Sequence, residues 1–227
     1  LIVNKMTKVN HKFIDSTILF GLTTIVDEIA NNENVDISDI EYIATGTFTD
    51  VYKLGNKVIK FGKNRLTDKI PYHKRILQPL IRRKVSSGIN DLYIEISEYV
   101  QTDNSITDDD AYLIYKELRN DGIIWIDAKR ENLGRLEKDN IAHFNEPLYV
   151  KNETVGFIPE TLYEDKPLRN GDLVIIDTDF LFREDDFDVT HLDSRINTEF
   201  YRVCEQRYQE EKNIEIIDSK QKNTMER

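Results

Sequence analysis

Apolar residues change their spacing along this chain, and each change predicts a change of element. In residues 14–30, Ile14, Ile18, Leu22, Ile25, Val26 and Ile29 recur at helical intervals and form one stripe. The spacing predicts an N-terminal helix whose role is packing. Residues 31–39 are polar and read as a linker. From residue 40 the period falls to two. IEYIATGTFTDVYKLGNKVIKFG alternates, is rich in strand-forming residues, and carries Gly55-Asn56 at a turn. A hairpin or the first three strands of a sheet follow from that pattern. ILQPLIRRKV (76–85) and LYIEISEYV (92–100) predict two more strands joined by SSGIND, so residues 40–100 form a small antiparallel sheet.

Helical spacing returns at 106–120, with Asp108, Asp109 and Asp110 at the start, where a helix dipole favours negative charge. That acidic run reads as a solvated helix start rather than a metal site. Residues 123–136 predict short strands and a loop, and DLVIIDTDFLF (172–182) predicts one buried strand. Leu192, Ile196, Phe200, Val203 and Cys204 predict a final helix over 191–212, and the polar tail from 219 is expected to fray.

Composition narrows the classes of function. The 227 residues carry 31 basic and 42 acidic side chains, a net charge of −11. A nucleic-acid or anionic-membrane surface needs clustered Lys and Arg, so neither partner is expected. A local basic pocket for phosphates remains compatible with that balance. No apolar run approaches the length of a membrane span. Cys204 is the single cysteine, which forbids an internal disulfide and suits a reducing cytoplasm. His11, His73, His143 and His191 are too scattered for zinc-ligand spacing. The start lacks a signal-peptide plan, and the chain opens on Leu rather than Met, which suits a piece of something longer.

Three short stretches carry chemistry: Lys60 in VIKFG, Asp127 with Asn132 in WIDAKREN, and Asp177 in VIIDTDF. A strand lysine, an Asp-x-x-x-x-Asn after a helix, and an Asp closing an apolar strand make the working set of a phosphotransferase. Transfer from ATP is mostly positioning and charge stabilisation. A rigid strand sets an ammonium at the phosphates, while one tight loop aims a carboxylate at the nucleophile and an amide oxygen at Mg²⁺.

IATGTFTDVY followed by VIK resembles the glycine-rich loop and Val-Ala-Ile-Lys strand of the protein-kinase-like superfamily. The resemblance implies an α+β, two-lobed fold: an antiparallel N-lobe over 40–100 and a reduced, mainly helical C-lobe over 101–218. A helical extension (1–39) would precede it and a tail (219–227) would follow. Ile43 and Val51 match the apolar residues that cover the adenine. Gly46 matches one loop glycine, while Ala44 and Thr49 stand where the other two would be. ISEYVQT resembles the hinge, which implies that backbone groups of Glu98 and Val100 pair with the adenine edge; an ordinary strand end is the alternative.

WIDAKRENLGRL resembles the catalytic loop His-Arg-Asp-Leu-Lys-x-x-Asn. That match implies that Asp127 orients the acceptor hydroxyl, Lys129 lies near the transferred phosphate, and Asn132 binds metal. Trp125 and Ile126 replace His-Arg, so a phosphorylated activation-loop switch is not expected. VIIDTDF resembles the Asp-Phe-Gly strand end, which implies a metal-binding Asp177. Thr178 and Asp179 replace Phe-Gly, closer to aminoglycoside and choline kinases. Asp179 is a candidate second metal ligand, with a turn of solvated carboxylates as the alternative.

The chain also departs from the family. Kinases anchor the strand lysine with a helix glutamate, yet no glutamate lies between Lys60 and Asp91. Asp68 is the one acid there, in a segment cut short by Pro71; Glu28 on the N-terminal helix is the candidate substitute. Residues 137–171, with Phe144, Tyr149, Phe157 and Tyr163, read as an inserted hairpin, with a lid or docking surface as the alternative. Fewer than sixty residues follow Asp177, without an Ala-Pro-Glu segment, so the resemblance covers about 40–182. It implies ATP and Mg²⁺ as cofactors and transfer to a hydroxyl, first that of a protein Ser or Thr. A small-molecule acceptor, a pseudokinase and AMP transfer stay open.

Overall fold

Alternation between residues 41 and 63 produces three consecutive antiparallel strands: β1 (Glu41–Thr45), β2 (Thr49–Leu54) and β3 (Lys57–Lys63). Gly55 makes the β2–β3 turn possible, since its φ of 57° lies in the left-handed region that a side chain disfavours. In this computed structural model the described residues are 26–27, 29–32, 34–46, 49–63, 70–71, 73–79, 81–87, 90–136, 171–188 and 198–225. Two more strands, β4 (Ile81–Ser87) and β5 (Asn90–Glu98), complete a five-stranded sheet of order β1-β2-β3-β5-β4. β5 inserts beside β3, with Lys60 opposite Glu95 and Val58 opposite Ser97.

Strand parity divides this sheet into two faces. Tyr52, Leu54, Ile59, Phe61, Ile94 and Ile96 are buried together with Val26, Ile29, Ala30 and Ile40. The helical residues 26–27 and 29–32 therefore cover one face of the sheet. The N-terminal helix expected over 14–30 is described only from Val26, and Glu28 lies outside the described residues. Within the expected linker, residues 31–32 stay helical and Ile37–Asp39 forms a 3₁₀ turn.

The second core surrounds α1 (Asp108–Asn120). Thr107 caps it: its hydroxyl accepts from Asp110 N at 3.2 Å while the Asp110 carboxylate accepts from Thr107 N at 2.8 Å. That reciprocal pair satisfies two otherwise orphaned N–H groups. β6 (Ile123–Trp125) pairs with β9 (Leu181–Arg183), and β7 (Leu133–Arg135) with β8 (Leu173–Ile175). The last helix, α2 (Glu199–Met225), packs on α1 through Cys204 and Tyr208. The architecture is α+β with an antiparallel sheet, and among the described residues no helix is long and apolar enough to cross a membrane.

Three element boundaries differ from the sequence pattern. The strand expected at 76–85 begins at Ile81, because Pro79 has no N–H for a ladder. Residues 76–77 instead reach β8, through an Ile76–Ile175 bridge and a 3.0 Å bond from Leu77 N to Ile175 O. The single strand expected at 172–182 is two, since its halves pair with different partners. The final helix runs to Met225 instead of fraying from 219, and Phe200 and Val203 of its expected apolar stripe are 37% and 60% exposed. Leu192, Ile196 and all but the last residue of the expected 137–171 insertion lie outside the described residues.

Candidate functional site

The sheet face opposite the helical cover borders a cleft of about 420 Å³. Thr49, Val51 and Lys53 from β2, Val58 and Lys60 from β3, and Ser97 from β5 line it, as the register requires of residues sharing one parity. β1 adds Ile43, and Gly46 closes the loop that follows, its N–H donating to Thr49 O at 2.7 Å. Glu98 and Val100, where β5 ends, line the same cleft, with Leu77 and Ile176 from the other wall. Lys53 stands over the Tyr99 ring at 3.9 Å, a cation–π contact between two of the lining residues.

Of the residues singled out for nucleotide contact, Ile43, Gly46, Val51, Lys60, Glu98 and Val100 are thus brought together. Asn132 and Asp177, singled out for metal, border the cleft as well. Asp127, Lys129 and Asp179 are not among its lining residues. Asp179 is 5% exposed, which departs from a turn of solvated carboxylates.

The backbone of a single residue, Ile176, joins the two walls. Lys60 Nζ donates to Ile176 O at 2.7 Å, and Ile176 N donates to Asn132 O at 2.9 Å. The break in the 172–182 run is what frees Ile176 for this: past Ile175 the chain leaves β8 and its backbone bonds to the loop instead. Asp177 Oδ1 then lies 3.7 Å from the Lys60 ammonium. On the other side, Ile126 N donates to Phe180 O at 3.0 Å, which keeps the loop and the strand break in step.

The loop after β6 is built around Asp127. Its Oδ2 accepts from Asn132 Nδ2 at 2.7 Å and pairs with Lys129 Nζ at 2.9 Å. Asn132 Nδ2 also donates to Asp127 O at 2.9 Å. Both donors of the amide end of Asn132 are thereby committed, which leaves Oδ1 as the side-chain atom able to accept a hydrogen bond or meet a cation. Trp125 and Ile126, just before Asp127, are buried in apolar clusters. Among the described residues no group of three or more His, Cys, Asp or Glu side chains is placed to hold a metal.

No family model and no curated protein matches the chain.

One residue of this site escaped sequence reasoning. Glu95 is 2% exposed and its Oε1 is 3.8 Å from Lys60 Nζ. Each such contact carries about 4 kcal/mol of gross attraction at an effective dielectric near 20, much of it offset by desolvation. The sequence carries no clear signal for it: between Ile94 and Ile96, Glu95 falls on the polar phase of an alternating strand.

Proposed function

We propose that this chain is an ATP- and Mg²⁺-dependent phosphotransferase with a two-lobed, protein-kinase-like fold. The observation that carries this reading is the Ile176 backbone, its C=O held by Lys60 and its N–H by Asn132, beside Asp177 in a single cleft. At about 420 Å³ the cleft falls within the usual range for small-molecule sites. Ile43, Val51 and Val100 would hold the adenine, with the backbone of Glu98 and Val100 at its edge. Lys60 would meet the phosphates, and Gly46 would let the loop approach them.

The oxygen donors fit the metal. Mg²⁺ is usually held by one or two carboxylates and by substrate phosphates rather than by a full protein cage. Asn132 Oδ1 and the partly exposed Asp177 carboxylate supply the protein's share. Asp179 would act behind them. When bound, Mg²⁺ supplies charge stabilisation to the transferring phosphoryl group. Asp127, its Oδ2 fixed by Asn132 and Lys129, would direct Oδ1 at an acceptor hydroxyl, first that of a protein Ser or Thr.

Mg²⁺ and ATP labelled separately at the α and γ positions test this, with the purified chain alone and with cell extract. Transfer of γ-label to protein is the expected result; γ-label on small molecules alone moves the acceptor, and α-label transfer replaces the reaction with nucleotidylation. Asp127→Ala is expected to keep nucleotide binding and lose transfer by about 10²–10⁴. Equal transfer by that variant removes Asp127 from the mechanism. A second reading, nucleotide binding without transfer, draws on the Lys129 ion pair that already occupies Asp127. Saturable ATP binding with no label transferred would select it.

A further inference from the structure

We propose that Glu95 is a positioning residue for Lys60, holding its ammonium from within the sheet in a chain where no glutamate lies between Lys60 and Asp91 to do so. This rests on the phosphotransferase reading and extends it. A lysine on a flexible four-carbon stem is a poor fixture unless its ammonium is held. Among the described residues, Lys60 has ion pairs with two carboxylates, Glu95 at 3.8 Å and Asp177 at 3.7 Å, besides its bond to Ile176 O.

The two carboxylates differ in burial. The Asp177 side chain is 35% exposed and lines the cleft, where a Mg²⁺ ion competes for it. Glu95 is 2% exposed and is not among the lining residues. It remains beside Lys60 when Asp177 is engaged by metal. The cross-strand register makes the placement rigid: Glu95 is opposite Lys60 on β3 and opposite Arg82 on β4, in the interior of the sheet. Strand parity turns Glu95 and Lys60 to the same face, so no loop or helix movement is needed to bring them together. Glu95 therefore acts on a bound phosphate through Lys60, without touching it.

Binding of Mg²⁺–ATP and of adenosine to the full chain separates positioning from mere folding. Glu95→Gln keeps the shape and removes the charge. It is expected to weaken ATP at least about tenfold, as loss of one partner of a buried charge pair does, and to leave adenosine affinity unchanged. Glu95→Asp keeps the charge but withdraws it by one methylene, and its ATP affinity is expected between those of wild type and Glu95→Gln. Should Glu95→Gln not fold, Glu95→Asp decides, with ATP weakened and adenosine unaffected. Unchanged ATP affinity, or equal loss of ATP and adenosine, overturns the role of Glu95 while the phosphotransferase reading stands. A wild-type chain that binds no ATP overturns that reading, and this inference with it.

Discussion

Gly134 and Gly46 have opposite standing, and their difference is steric. A Cβ on Gly134 would meet Val100 Cγ1 at 2.7 Å, Ile176 Cγ2 at 3.0 Å and Gln101 O at 3.2 Å. This is where the end of β5 approaches the β7–β8 pair, and a methyl group there must push one wall of the cleft. Gly134→Ala is expected to lower stability by roughly 1–3 kcal/mol, the usual cost of overpacking, read as a lower thermal midpoint. A Cβ on Gly46 would meet only Thr49 O and Oγ1, both at 3.7 Å, an ordinary contact. Gly46→Ala is expected to leave the melting temperature unchanged, so that any loss of ATP affinity reports phosphate approach alone. Motif spacing drew attention to Gly46 and passed over Gly134. Close approach between segments distant in sequence leaves no local mark on a glycine.

Helices α1 and α2 show where periodic patterns work and where they fail. The Thr107–Asp110 box stands at the start that the acidic run predicted. Its hydrogen bonds from Thr107 hold the Asp110 carboxyl below the usual carboxylate range. Thr107→Ala is expected to cost about 1 kcal/mol, measured by denaturant unfolding. The final helix stands where it was expected but extends further, because its docking is mostly charged: Lys116–Glu211 at 2.6 Å, Arg119–Glu205 at 3.0 Å and Arg207–Asp109 at 2.8 Å tie α2 to α1. Tyr115 also donates to Glu205. Only Cys204 and Tyr208 are buried along its described length, too few to make a stripe. Local i,i+4 contacts such as Arg207–Glu211 and Gln206–Glu210 support its polar face. Apolar spacing registers such a helix but cannot set its bounds.

Across the molecule, the segment 73–79 ties the sheet end of the chain to the α1 core, and its chemistry makes stability depend on pH. His73 Nδ1 accepts from Arg75 N at 3.1 Å, so the neutral ring carries its proton on Nε2 and donates to Asp121 Oδ2 at 2.9 Å. Burial lowers the pKa of His73, and the Asp121 hydrogen bond recovers part of the shift. The unfolded chain then binds the extra proton first. Stability is full above about pH 6.5, the unfolded value, and falls as pH drops through it, by at most about 1.4 kcal/mol per unit, until the folded pKa is passed. Thermal melts between pH 7.5 and 5 are expected to show this slope, and His73→Gln to flatten it; parallel slopes would remove His73 as the cause. Glu117 acts in a lower window: burial opposes its ionisation, but Lys74 and Arg75 hold its carboxyl below the ordinary range. That contribution persists above its unfolded pKa and is lost as pH falls through the folded one. What the sequence alone determined was parity and spacing. Alternation put Val58 and Lys60 on one face of β3 and Ile59 and Phe61 on the other, and the tight loop fixed Asp127 relative to Asn132. Only the tertiary structure decided that these pieces share a cleft, that Glu95 stands beside Lys60, and that the 172–182 run breaks at Ile176 to join them. The periods of helix and strand are written in neighbouring residues. Strand order and the approach of remote backbones depend on how the whole chain packs.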